Sequence, residues 1–234
     1  MCIIIHKPKG IVWRNMEKDI YNSLTNNFDG MGIMYQENSQ VIIKKGYFDH
    51  KEIIKCINDL GDITDRDLVF HARYATHGII SEGNCHPFPI TTNIKELKAE
   101  QIKTNIGIVH NGIIPFCGSK KESLSDTQIF ILKYLSRIPE HELMNNAAIH
   151  KLIDESTKSK FVLMNKNKIT VVGKFINDKG VIYSNKDYKY VNIRYFQENN
   201  YCQCCGEYFY SKDKIFTIEG LDVCEYCYNA ITKV

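Results

Sequence analysis

Proline is scarce in this chain, with 5 among 234 residues, and the 14 glycines follow no period. Those shortages exclude collagen-like and polyproline architectures and any long low-complexity linker. No apolar run approaches the roughly 20 residues that a membrane-spanning helix needs. Charge of one sign is also missing. Thirty basic residues against 27 acidic ones leave +3, too little and too dispersed to signal nucleic-acid or membrane binding by charge alone. The opening Met1-Cys2-Ile3-Ile4-Ile5-His6-Lys7-Pro8 has a short apolar run with no basic residue before it, so it does not read as a secretory leader. A cytoplasmic setting is expected. What is present, 44% hydrophobic and 24% charged, suits one generous soluble domain with a small appendage.

Cysteine is the residue in excess. The count of 9 is odd, so complete pairing is impossible, and in a reducing compartment thiols point to metal, catalysis or burial. Cys202, Cys204, Cys205, Cys224 and Cys227 crowd the last stretch, and Cys2 sits directly behind the initiator.

Between these clusters the patterning is mixed. Short β-branched runs predict strands over 2–6, 31–35, 41–45, 67–75, 106–114, 161–164, 169–173, 181–183 and 190–195. Helical spacing predicts helices over 16–28, through Ile53, Ile54, Ile57 and Leu60 to Gly61, from Ser125 through Leu135, and over 140–154. Strands and helices do not alternate one for one. That favours an α+β arrangement of stacked sheets and helices over a doubly wound parallel sheet. The composition shift at Asn199-Asn200 divides the chain into 1–198 and 199–234.

Several short stretches carry chemistry-bearing side chains. If Met1 is removed, Cys2 becomes residue one, its thiol beside its own α-amine, which is a usable base near neutral pH. The plain alternative is a small buried residue starting a strand. In His71-Ala72-Arg73-Tyr74-Ala75-Thr76-His77-Gly78, Arg73 offers a planar fork for a carboxylate, with Thr76 and His77 as added donors. Asn84-Cys85-His86-Pro87 supplies a second polar loop. Asn111-Gly112 between apolar runs reads by itself as a tight hairpin turn. It could instead aim an amide and an N–H at a developing oxyanion. Ser125 with Gln128 forms a capping-box pattern, and Asp126 suits either the helix dipole or a substrate ammonium.

Taken in order, Met1-Cys2, Asp29-Gly30-Met31-Gly32-Ile33, residues 71–78, Ser81-Glu82, residues 84–87, residues 109–114 and Ser125-Asp126-Thr127 resemble the glutaminase domain of class II (N-terminal nucleophile) glutamine amidotransferases. The resemblance runs from residue 1 to about 195. It implies a four-layer αββα sandwich in which Cys2 attacks the glutamine side-chain amide, with its α-amine as base and then acid. Asn111 and Gly112 would form the oxyanion hole. Arg73, helped by Thr76 and His77, would hold the α-carboxylate, Asp126 the α-amino group, and His86 would support the pocket. Ile3 and Gln128 depart from the common pattern, which has glycine and glutamate there. The ammonia acceptor is expected on a separate synthase partner. Two other readings stay open: a stand-alone amidase acting on another γ-glutamyl compound, and a non-catalytic scaffold.

In the tail, Cys202-x-x-Cys205 and Cys224-x-x-Cys227 stand 18 residues apart, the spacing of a four-thiolate structural zinc site with no open coordination position. A short hairpin over 208–216 and a terminal helix bearing Cys224 and Cys227 are expected, with Cys204 spare. Few lysines and arginines lie there, so protein contact or a structural cap is favoured over nucleic acid.

Overall fold

The unbroken apolar run Ile3-Ile4-Ile5 already calls for a sheet buried on both faces. In the computed structural model, which describes residues 2–75, 78–117, 123–189, 202, 204, 214–218 and 221–232, strand β1 (Ile3–Lys7) is buried along its whole length. Ile3 and Ile5 pack into one core while Ile4 packs into another, as the two-residue side-chain period requires. The same split occurs on β4 (Leu68–Ala72), with Leu68, Phe70 and Ala72 on one face and Val69 on the other.

Around β1 and β4 the chain builds a seven-stranded sheet in the order β10-β11-β1-β4-β2-β3-β6. The added strands are β2 (Met31–Glu37), β3 (Gln40–Tyr47), β6 (Gln101–Thr104), β10 (Ile176–Asp178) and β11 (Val181–Tyr183). A four-stranded sheet joins β5 (Phe88–Pro89), β7 (Ile106–Asn111), β8 (Lys160–Asn165) and β9 (Ile169–Val172), in the order β5-β7-β8-β9. Every pairing is antiparallel.

Three cores bind these elements into four layers. Ile4, Met34, Val41, Ile43 and Val69 of the larger sheet meet Val109, Val162 and Met164 of the smaller one. On the outer face of the larger sheet, Ile3, Ile33 and Phe70 pack with Ile20 and Leu24 of helix α1 (Glu17–Asn26) and Ile53 and Ile57 of α2 (His50–Asn58). On the outer face of the smaller sheet, Ile108, Phe161 and Leu163 pack against α4 (Asp126–Lys133), α5 (Glu140–Asn145) and α6 (Ala147–Thr157). A short α3 (Ile94–Lys98) buries Leu97 in that same core. This is the expected αββα order of layers. Lys7 is buried yet satisfied, its ammonium donating to the carbonyls of Pro8, Ile11, Ile63 and Arg66.

Several local expectations are corrected. Asn111-Gly112 does not turn a hairpin, because β7 pairs with β5 and with β8, which is reached only after three helices. The single helix expected over 140–154 is two, since Asn146 breaks it and caps α6, its side chain accepting from the N–H groups of Ala148 and Ile149. The short elements β5, β6, β10 and α3 carried no legible signal. The run expected over 190–195 lies outside the described residues.

The chain divides into two units, 1–190 and 191–234. In the second, β12 (Ile215–Ile218) and β13 (Leu221–Cys224) form a hairpin followed by α7 (Glu225–Thr232). The hairpin expected over 208–216 lies mostly outside the described residues, and Cys224 closes a strand while Cys227 lies on the helix. No helix among the described residues is long and apolar enough to cross a membrane.

Met34 tests the interlayer core. Met34→Ala should cost ~2–5 kcal/mol of unfolding free energy through the cavity it leaves. Leu152→Ala, on an exposed face, should change it by less than about 0.5 kcal/mol. Urea denaturation of both variants checks this.

Candidate active site

Cys2 stands immediately before β1, and the Ile3–Ala72 register sets it beside the residues that leave β4. The Tyr74 N–H donates to Cys2 Sγ at 3.2 Å, and the thiol donates to the Tyr74 carbonyl at 3.4 Å. Asn185 Nδ2 donates to the Cys2 carbonyl at 2.8 Å. Burial pushes the Cys2 thiol pKa up, while the Tyr74 main chain and the Arg73 guanidinium pull it back and Asp126 adds to the rise. The sulfur is thus held mainly as the thiol near neutral pH, and such a group attacks only with a base at hand.

Arg73 follows β4 directly. It is 3% exposed, and its Nη1 donates to the Ile79 carbonyl at 3.1 Å. Its main chain is clamped to Asp29-Gly30: Arg73 N–H donates to Gly30 O at 2.8 Å, and Asp29 N–H to Arg73 O at 3.0 Å. Asp29 Oδ2 then accepts from the Ala75 N–H. Gly30 has φ +121°, and a Cβ there would stand 2.2 Å from Cys85 Sγ. Thr76 and His77 lie outside the described residues, as does Met1.

On the smaller sheet, β7 ends at Asn111, whose Nδ2 donates to Ser184 Oγ at 2.8 Å. Gly112 has φ +152°, and a Cβ would meet Ser159 Oγ at 2.2 Å, so any larger residue would break this strand exit. Asp126 braces the loop that follows. One carboxylate oxygen accepts from the Ile114 N–H at 2.9 Å and the other from the Thr127 N–H at 2.8 Å. The capping box between Ser125 and Gln128 is present in both directions, which locks the first turn of α4.

Behind this edge three imidazoles are buried, with His110 stacked on Phe161 on the helix-covered face of the smaller sheet. His86 Nε2 and His110 Nδ1 both meet the Thr127 hydroxyl, at 3.1 and 2.8 Å. His71 Nε2 donates to the His110 carbonyl at 3.0 Å, and the His71 and His86 rings lie 4.3 Å apart. His86 is therefore a brace on Thr127 beneath the site, 4% exposed. The second nitrogen of each ring has no partner among the described residues. Burial lowers all three pKa values, His71 to about 3 and His110 to about 4, with His86 pushed well down by burial and then by its charged and imidazole neighbours. Lys45 is buried nearby, donating to Gly83 O and Leu97 O above the Phe88 ring, and burial draws its pKa down to about 7.

Sequence reasoning missed Ser184 and Asn185. A polar pair after a short strand carries no motif, and their partners are about 180 residues away or on another sheet.

In the second unit, the sulfurs of Cys202, Cys224 and Cys227 lie within 4.8 Å of one another and could hold a metal ion. Cys202 and Cys227 are buried beside Val223, Phe216 and Tyr228, and the Cys227 N–H donates to Cys224 Sγ at 3.5 Å. Cys205 lies outside the described residues.

No family model matches the chain. A stretch of 123 residues, 52% of the chain, is 30% identical to the isomerizing glutamine–fructose-6-phosphate aminotransferase of Pyrococcus horikoshii, covering 19% of that protein. The fold is similar to a solved structure described as the allosteric regulatory enzyme of purine biosynthesis. That likeness has a TM-score of 0.50 at 14% identity, over 78% of this chain and 41% of that one. A glutamine phosphoribosylpyrophosphate amidotransferase from B. subtilis, complexed with ADP and GMP, aligns with a TM-score of 0.47 and 15% identity over 79% of this chain and 42% of that one. The chain spans about a fifth of the curated relative and about two fifths of each solved chain.

The buried imidazoles set a pH dependence. The unfolded chain protonates them near the ordinary value of about 6.5, whereas the folded chain resists until about 4 or lower. The unfolded state thus binds more protons in that window, and stability falls as pH drops from about 6.5, by up to ~1.4 kcal/mol per pH unit per histidine. Urea midpoints between pH 7 and 5 should show this slope, and His86→Gln should reduce it by about one proton.

Proposed function

We propose that the chain is a class II (N-terminal nucleophile) glutamine amidotransferase, a reading supported by its fold and its matched segment, and that it hydrolyses the glutamine side-chain amide to glutamate and ammonia. The ammonia passes to a separate acceptor protein. The supporting observation is convergence. The start of β1, the exit of β4 and the end of β7 supply Cys2, Arg73 and Asn111, and the main chain of Ile4 and the amide of Asn111 meet on one oxygen, that of Ser184.

The chemistry follows from the state of the thiol. Desolvation keeps Cys2 protonated, so it needs a base, and removal of Met1 creates one on the same residue. The α-amine takes the thiol proton as Sγ bonds to the amide carbon. The electron pair of the C=O moves onto oxygen, where the Asn111 amide and the Gly112 N–H stabilise it. Losing one such donor costs ~2.7–4 kcal/mol of transition-state stabilisation. Collapse breaks the C–N bond, the α-ammonium returns its proton to the leaving nitrogen, and ammonia departs from a thioester. Water, deprotonated by the same amine, then releases glutamate and restores the thiol.

Substrate is held at the other end. Arg73 pairs its fork with the α-carboxylate, helped by Thr76 and His77. Asp126 keeps lone pairs beyond those used by Ile114 and Thr127 and receives the α-ammonium. His86 supports this wall through Thr127.

The clustered thiols of Cys202, Cys224 and Cys227, two of them buried, form a soft donor set that would hold a structural zinc ion, with Cys205 expected as the fourth ligand. Such an ion would stabilise the second unit and supply no chemistry to the hydrolysis.

Intact mass should show loss of Met1, and a glutamine-like diazoketone should label the protein at Cys2. Glutamate release from free glutamine and the label should both vanish in Cys2→Ala. Labelling or turnover by protein that retains Met1 would sink the mechanism. Metal analysis should find one zinc per chain. Cys227→Ser should lose it and unfold residues 214–232 as judged by amide exchange, while glutamate release stays within about twofold.

A further inference from the structure

The turn after β11 touches both halves of the site. Ser184 is fully buried. Its Oγ accepts from the Ile4 N–H and from Asn111 Nδ2, each at 2.8 Å. Its own N–H donates to the Ile4 carbonyl at 3.0 Å, and the Lys160 ammonium donates to its carbonyl. Asn185 holds the Cys2 carbonyl through Nδ2, and its Oδ1 accepts from the Asp187 N–H at 3.0 Å. The Asp187 carbonyl accepts in turn from Asn26 Nδ2 of α1.

A hydroxyl oxygen has two lone pairs. On Ser184 both are occupied, by a main-chain N–H that cannot move without β1 and by the Asn111 amide. The amide nitrogen of Asn111 therefore faces Ser184. One of its protons is committed there, which leaves the second for another acceptor. Lys160 lies opposite Asn111 in the β7–β8 register, so the turn is pinned from both sheets.

We propose that Ser184 is a positioning residue for the Asn111 oxyanion donor, with Asn185 setting the Cys2 main chain from the same turn. The spacing between attacking sulfur and charge-stabilising amide is then fixed by two adjacent residues. This rests on the glutaminase reading above. A serine hydroxyl that orients a donor acts on the transition state, where charge appears, and leaves substrate capture untouched.

The test measures glutamate release by Ser184→Ala and by Ser184→Cys, which keeps the packing but offers sulfur, a weak acceptor. Both should lose about three- to tenfold in kcat at unchanged KM. Neither should lower kcat further when added to Asn111→Ala. Unchanged kcat in Ser184→Cys, or losses that multiply with Asn111→Ala, would overturn the assignment. A second readout is independent of turnover. The Asn111 side-chain amide protons, identified by their absence in Asn111→Ala, should exchange slowly in the wild type and quickly in Ser184→Ala. Equal exchange in both would overturn the Ser184 hold. A wild type without turnover but with that protection would overturn the glutaminase reading instead.

Discussion

Two antiparallel sheets packed face to face exclude bulk water, and each polar side chain caught at their edge must be satisfied from within the protein. The rest of the site depends on how that demand is met. Burial holds His71, His86 and His110 neutral, and no described residue would partner the second N–H that a charged ring carries. Their bonded nitrogens converge on Thr127 and on the His110 carbonyl, and both supports lie next to Asp126 and Asn111. The rigid end of β7 is a consequence of this buried polar layer.

The same low-polarity setting shapes the reactive group. A buried thiol is expensive to ionise, despite the Tyr74 main-chain N–H and the nearby Arg73. That cost makes a local base necessary for any attack by the sulfur, and in the proposed mechanism the α-amine freed by loss of Met1 would be that base. Conformation adds a second restriction at Gly112, where any Cβ would collide with Ser159. Asn111 is thus held by Ser184 through its amide, and Gly112 is confined by the close approach of Ser159.

Much of the local structure was legible because it is decided within a few residues. The Ser125–Gln128 box appeared as expected, and α1 and α2 formed close to where apolar periodicity put them. Residue types also exposed the candidate chemistry, since Cys2, Arg73, Asn111 and Asp126 stand in an order few unrelated sequences would reproduce. Asn111-Gly112 misled as a turn because its local signal is that of a hairpin, whereas the real partner of β7 is β8, reached through α4, α5 and α6. The break at Asn146 was hidden by apolar residues that continue the spacing across it.

By itself the sequence determined the kinds of side chain, the helices with strong periodicity, the first-turn cap of α4 and the cysteine spacing of the tail, all properties of neighbouring residues. Tertiary structure alone decided which strands pair, which polar groups are buried together, and that Ser184 meets Ile4 across a separation of 180 residues. The physical reason is that antiparallel register is chosen by whole apolar faces packing at once. The Ser184–Ile4 contact continues the β1–β11 pairing, which nothing near either residue in the sequence specifies.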